Sequence, residues 1–219
     1  MKKRFFIILG VIILLFGLGY ISYLYWPKED IVVDPNISEE YKQTLKDELV
    51  SYQDELAQNP GNSDLFIKIG KLEHKLGQLS SAERNLKQAI KIENPENLYL
   101  AYFYLGELYE DMGKYDEADD MLRISTQINP NTHVGFLALI DLYKKHYPGK
   151  ADELDNIYRA ASDFTKSPEV WASYARFLED RREYRDAWIY WGEVLNAEPD
   201  NAQAKEAVVR LKEILGIAN

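Results

Sequence analysis

The sequence predicts an all-α protein: one N-terminal transmembrane helix, then a solenoid of about four helical hairpins closed by a C-terminal capping helix. Three observations carry this expectation. Residues 5–26 hold no charged side chain over 22 positions. Pro60, Pro95, Pro130, Pro168 and Pro199 recur at intervals of 35, 35, 38 and 31 residues, the period of stacked supersecondary units. Between the prolines, apolar residues return three and four positions apart, the spacing that puts them on one helical face.

Composition narrows the function classes. At 46% hydrophobic and 28% charged residues the chain can bury a core and is not disordered as a whole. It has no cysteine, which excludes disulfides and thiolate metal sites. The formal charge is -10, and Lys2, Lys3 and Arg4 are the only charges before Lys28, so everything after them carries -13. An acidic body repels phosphate backbones, and no nucleic-acid partner is expected.

The N-terminal elements follow from this charge pattern. Residues 1–4 form a short cytoplasmic tail. Residues 5–26, at about 1.5 Å per residue, reach about 33 Å and cross a hydrocarbon core as a signal anchor. Tyr20, Tyr23, Tyr25 and Trp26 gather at one end, where aromatic rings favour the headgroup boundary. Pro27 stops the helix and the acidic flank Lys28-Glu29-Asp30 follows. Cations before the span and acids after it put Met1 in the cytoplasm and the helical body outside, on the periplasmic or cell-surface side. A cleaved signal peptide ending near Gly17-Leu18-Gly19 is the competing reading. Residues 27–37 read as a linker with a turn at Asp34-Pro35-Asn36. Asn36-Ile37-Ser38 matches a glycosylation sequon, a pattern common by chance.

The helical body begins with an N-terminal helix at 38–57, opened by Ser38-Glu39-Glu40, with Leu45, Leu49, Tyr52 and Leu56 along one face. Hairpin units follow at 63–96, 99–132, 133–167 and 168–200, and a capping helix at 201–216. The second unit is the most regular. Tyr102, Leu105, Gly106 and Tyr109 share a face of its first helix, Gly113 ends that helix, and Tyr115 opens the next. Ala118, Leu122 and Ser125 line the inner side of the second helix, and Pro130 closes the unit. Small residues at Gly106 and Ala118 let the two helices cross closely while large ones fill the flanks.

The first unit repeats this register with Phe66, Ile69, Gly70, Gly77, Leu79, Ala82, Leu86 and Ala89. The fourth does so with Trp171, Tyr174, Ala175, Leu178, Tyr184, Ala187, Trp191 and Val194. The third is degenerate: Ile140 replaces the small residue and His146-Tyr147-Pro148-Gly149 lengthens the turn, which predicts a looser hairpin. Ala204, Ala207, Val208, Leu211 and Leu215 give the last helix an apolar stripe to cover the open end of the array.

The order of large, small and turn residues in the second unit resembles the tetratricopeptide repeat, W-x2-L-G-x2-Y, then A-x3-F, then P. The four units together carry the resemblance, which extends to membrane-anchored bacterial envelope members of the family. It implies a superhelix whose first helices line a concave groove, and a function of recognition. The groove positions of such repeats fall here on Ile67, Lys71, Phe103, Tyr104, Glu107, Leu137, Asp141 and Arg176. Ile67, Phe103 and Leu137 would form an apolar strip for a protein or peptide partner, with packing between neighbouring first helices as the alternative role for these side chains. The lysine–asparagine set that grips a terminal carboxylate in some families is missing.

No catalytic residues, metal site or cofactor are expected. His74, His133 and His146 lie in no zinc motif, and the nucleophile-elbow and phosphate-loop patterns do not occur. The resemblance implies a scaffold in the assembly or chaperoning of cell-envelope complexes. A self-associating anchor subunit of a larger membrane assembly is the alternative.

Overall fold

The computed structural model describes residues 38–217. Among them the chain forms ten helices: α1 Glu39–Gln58, α2 Ser63–Lys75, α3 Leu79–Ile92, α4 Leu98–Asp111, α5 Tyr115–Ile128, α6 His133–His146, α7 Ala151–Thr165, α8 Pro168–Asp180, α9 Tyr184–Ala197 and α10 Ala202–Ile214. The expected membrane span at 5–26 and the linker at 27–37 lie outside the described residues. No described helix is long and apolar enough to cross a membrane.

Local chemistry sets the helix boundaries. Ser38 accepts the Tyr41 amide proton at 3.2 Å, and Asn201 accepts that of Ala204 at 3.0 Å. Asn62 accepts from the amides of Asp64 and Leu65 at 3.0 and 3.3 Å. Each oxygen satisfies N–H groups that a first helical turn leaves without a partner.

Three of the four hairpin turns close in the same way. After α2, Gln78 N–H donates to Glu73 O at 2.8 Å and Gly77 N–H to His74 O at 2.9 Å. After α4 the matching bonds are Lys114 to Tyr109 and Gly113 to Glu110, and after α8 they are Glu183 to Leu178 and Arg182 to Glu179. This double closure needs a left-handed residue, which glycine adopts without a Cβ penalty. Gly77 and Gly113 have φ of 76° and 72°, but the third turn uses Arg182 at 62°.

The crossings depend on missing side-chain atoms. A Cβ on Gly70 would stand 2.8 Å from Leu86 Cγ, and one on Gly106 would stand 2.7 Å from Leu122 Cγ. The tight contact at Gly106 is therefore with the Leu122 side chain, while Ala118 presents its carbonyl oxygen at 3.4 Å. In the third hairpin Ile140 holds this place and is buried. The helices of this hairpin, α6 and α7, pack less closely than the partners in the other hairpins. A cavity of about 440 Å³ opens beside them, walled by Phe136, Leu139, Ile157, Ala160 and Phe164.

One continuous core runs from α3 to α10, with Trp191, Tyr158 and Tyr174 its largest fully buried side chains. The Tyr158 and Tyr174 rings stack at 5.0 Å and bridge the loose third hairpin to the fourth. At the N-terminal end, Leu45 and Leu49 of α1 cover Ile69, Leu72 and Leu76. At the other end, Ala204, Ala207 and Leu211 of α10 are buried. Both apolar ends of the array are thus shielded, as a stack of repeats requires. The first helices α2, α4 and α6 contact one another in sequence and form one face of the solenoid.

Candidate functional site

Two adjoining depressions lie on the face built by first helices. One, of about 320 Å³, is formed by α2, α4 and α6 and includes Lys71, His74, Tyr104, Glu107, Glu110 and Asp141. The other, of about 520 Å³, is formed by α4, α6 and α8 and includes Phe103, Glu107, Val134, Leu137, Ile140 and Glu169. Glu107, Ala138 and Asp141 line both, so the two form one groove. Residues four apart on α4 (Phe103 and Glu107) and on α6 (Leu137 and Asp141) point to the same side because a helix turns once in 3.6 residues.

The charges of the groove are mostly matched across helices. His74 Nε2 meets Asp111 Oδ2 at 2.7 Å, joining α2 to α4. Lys145 of α6 donates to Asp141 at 2.5 Å and lies 3.4 Å from Glu110, with His146 Nε2 at 3.3 Å from the same Glu110 oxygen. Lys71 sits over the Tyr104 ring at 5.2 Å from its centroid, and Phe103 meets Tyr104 edge-on at 5.0 Å. The contact with His74 holds the Asp111 carboxyl below its ordinary range. Glu107 is the exception. Among the described residues its carboxylate has no ion pair and no hydrogen bond, and burial pushes it above its ordinary range. His74 and Lys71 oppose that rise, while Asp111 and Glu110 add to it.

Of the residues predicted to line the groove, the fold gathers Lys71, Phe103, Tyr104, Glu107, Leu137 and Asp141. Two lie elsewhere. Ile67 is 3% exposed and packs with Ala89 and Ala101 beneath Tyr104 and Leu100, so it belongs to the core and the apolar strip is shorter than the sequence suggested. Arg176 faces a separate depression with Glu179, Trp191 and Gln203, its guanidinium 5.7 Å from the Trp191 ring. Phe103 and Leu137 are half-buried and touch the main core, so each serves packing on one side and the groove on the other.

Sequence reasoning did not place His133, Val134, Ala138, Lys145, Glu169 and Ser173 in the groove. Helical spacing from Leu137 and Asp141 would have found Val134, Ala138 and Lys145. Glu169 and Ser173 depend on how α8 is set against α6, which no local signal carries. Among the described residues no cluster of His, Asp and Glu could hold a metal ion. What the groove offers chemically is apolar surface beside fixed charge, the ingredients of recognition.

Comparison with known proteins agrees with this geometry. The tetratricopeptide-repeat family model matches residues 63–95 and 99–132, the first two hairpins. No curated protein sequence matches the chain. Among solved structures, MamA is similar at a TM-score of 0.55 and 20% identity, covering 76% of this chain and 98% of that one. A thermophilic TPR protein of Thermus thermophilus is similar at a TM-score of 0.52 and 18% identity, covering 79% and 91%. YrrB, described as a TPR protein with an unusual peptide-binding site, is similar at a TM-score of 0.53 and 16% identity, covering 75% and 84%. Identities this low establish likeness of fold. The first two hairpins match the tetratricopeptide repeat by sequence, and the described residues as a whole share the fold of tetratricopeptide-repeat structures.

Proposed function

We propose that this chain is a membrane-anchored scaffold that holds a protein partner in its concave groove, outside the cytoplasm, during assembly or chaperoning of cell-envelope complexes. The observation that carries the binding part is the groove itself, in which first helices of consecutive hairpins present Phe103, Leu137, Glu107 and Asp141 around shared space. The anchoring part rests on the 22 uncharged residues 5–26, with Lys2-Lys3-Arg4 before them and Lys28-Glu29-Asp30 after Pro27. The envelope role rests on family resemblance.

Two experiments test the reading. A photoreactive residue at Leu137, activated in native membranes, should capture a defined protein, and the same residue at exposed Asp120 on α5 should not. Equal capture at both positions would remove the groove as the site. Protease added to intact cells, or to spheroplasts where an outer membrane is present, should digest the helical body. Complete protection until lysis would overturn the proposed orientation.

A further inference from the structure

We infer that the groove takes an extended peptide segment whose lysine or arginine reaches the Glu107 carboxylate while a neighbouring apolar side chain packs on Phe103 and Leu137. This rests on the reading of the groove as a partner site and adds the chemistry of the occupant.

The first argument is the contrast among carboxylates in one small region. Asp111 has His74, Asp141 has Lys145, and Glu110 has Lys145 and His146. Glu107 lies at the centre, lining both depressions, and alone of these four has no cation or donor in contact among the described residues. The two groups of the chain that oppose its rise are engaged elsewhere: His74 with Asp111 and Lys71 over the Tyr104 ring. A carboxylate taken partly out of water without a partner is a cost to the folded chain, seen in the upward pressure that burial puts on its protonation. A cation supplied from outside removes that cost, so Glu107 favours cationic over neutral or anionic occupants.

The second argument is the shape and charge of the larger depression. Glu107, Asp141, Glu169 and Lys144 line it with Phe103, Leu137 and Ile140; Asp141 is held by Lys145 and Glu169 lies 3.9 Å from His133, which leaves Glu107 as its unmatched carboxylate. Lysine and arginine match such a surface because their alkyl stems lie on apolar walls while the charged head reaches a carboxylate. Arginine has the further advantage of two parallel donors for two carboxylate oxygens. The surrounding charge favours the same occupant: with Lys2, Lys3 and Arg4 set aside, the rest of the chain carries -13 and draws cationic segments toward it. The depression of about 520 Å³ has room for a basic side chain and one large apolar neighbour.

The test selects peptides from a displayed library of random short sequences on the full chain held in detergent. Bound sequences should be enriched in lysine or arginine next to a large apolar residue. The tightest of them, measured by calorimetry, should lose on the order of tenfold in affinity with Glu107→Gln, and its affinity for the parent should fall with added salt. Glu107→Gln preserves shape and removes only charge, and its far-ultraviolet dichroism should equal the parent's. Leu137→Arg should abolish binding of the same peptide. Loss with Leu137→Arg but none with Glu107→Gln, or selected sequences poor in basic residues, would overturn the inference and leave the groove reading standing. Binding untouched by Leu137→Arg, or no selected peptide at all, would overturn both.

Discussion

Adding one methyl group should stabilise the chain at one helical glycine and not at another. In α9, a Cβ on Gly192 would meet nothing within 4 Å. Gly192→Ala therefore receives the full helix-propensity gain, about 0.8–1 kcal/mol. In α4, a Cβ on Gly106 would stand 2.7 Å from Leu122 Cγ and 2.8 Å from its Cδ2. Carbon atoms prefer about 3.5–4 Å, so Leu122 or the helix would have to give by about 1 Å. Leu122 is 0% exposed, and its Cγ lies too near the backbone to swing aside as a flexible chain end would. Overpacking of this kind costs about 1–3 kcal/mol. Set against the same propensity gain, the net effect of Gly106→Ala runs from about zero to a loss of about 2 kcal/mol. Near the melting temperature each kcal/mol moves a chain of this size by about 2–4 °C. Thermal melts of the two variants should place Gly192→Ala above the parent and Gly106→Ala at or below it. In a Leu122→Ala background, where the obstructing side chain is gone, Gly106→Ala should become stabilising, and the double-mutant cycle measures the clash. If Gly106→Ala melts well above the parent, or if Leu122→Ala leaves its effect unchanged, the crossing is not as tight as described.

Three other perturbations address the turns and the groove. Arg182→Gly should stabilise by about 0.5–1 kcal/mol, because the left-handed turn after α8 burdens an L side chain that glycine would relieve, and a lower melting temperature would contradict the turn geometry. Glu107→Gln should be more stable than the parent at neutral pH, because burial raises the folded-state carboxyl and its ionisation works against folding; that advantage shrinks as pH falls through the raised value and is gone below about 4.3, the ordinary value of an unfolded carboxyl. Urea melts across pH would refute this if the parent were the more stable protein at neutral pH. Phe103→Ala should cost about 2 kcal/mol of stability, less than the about 3–5 kcal/mol of a fully buried ring, and should also lower capture of the partner; an unchanged melt would remove its packing role.

Much of this architecture is legible in the sequence because repeats restate the same physical solution. Gly70 and Gly106 mark crossings, Gly77 and Gly113 mark left-handed turns, and Ala82, Ala118 and Ala187 mark the facing helices, each at a matching register. Arg182 carries no such signal: it holds a glycine's conformation because the bonds of Glu183 to Leu178 and Arg182 to Glu179 impose it. The groove is legible only in part. Spacing along one helix brings Phe103 and Glu107 together, and likewise Leu137 and Asp141. Pairings such as His74 with Asp111 depend on the stagger between helices, which periodicity within one helix does not encode. Ile67 holds the same repeat position as Phe103 and Leu137, yet Tyr104 and Leu100 from α4 close over it. Whether such a position is open is decided by the neighbouring helix.

The looser packing between α6 and α7 has a mechanical consequence. A linear array is cooperative only as far as each unit's coupling to the next exceeds its own tendency to open. Packing is close within α2–α3, within α4–α5 and from α8 to α10, and looser between α6 and α7, so α6–α7 is where the array is expected to yield first. Bending there would change the width of the groove, because α6 supplies Leu137 and Asp141 while α4 and α8 stand on either side. Backbone amides of α7 should then exchange with solvent faster than those of α4 or α9, and uniform protection along the array would mean that the chain behaves as a single rigid rod.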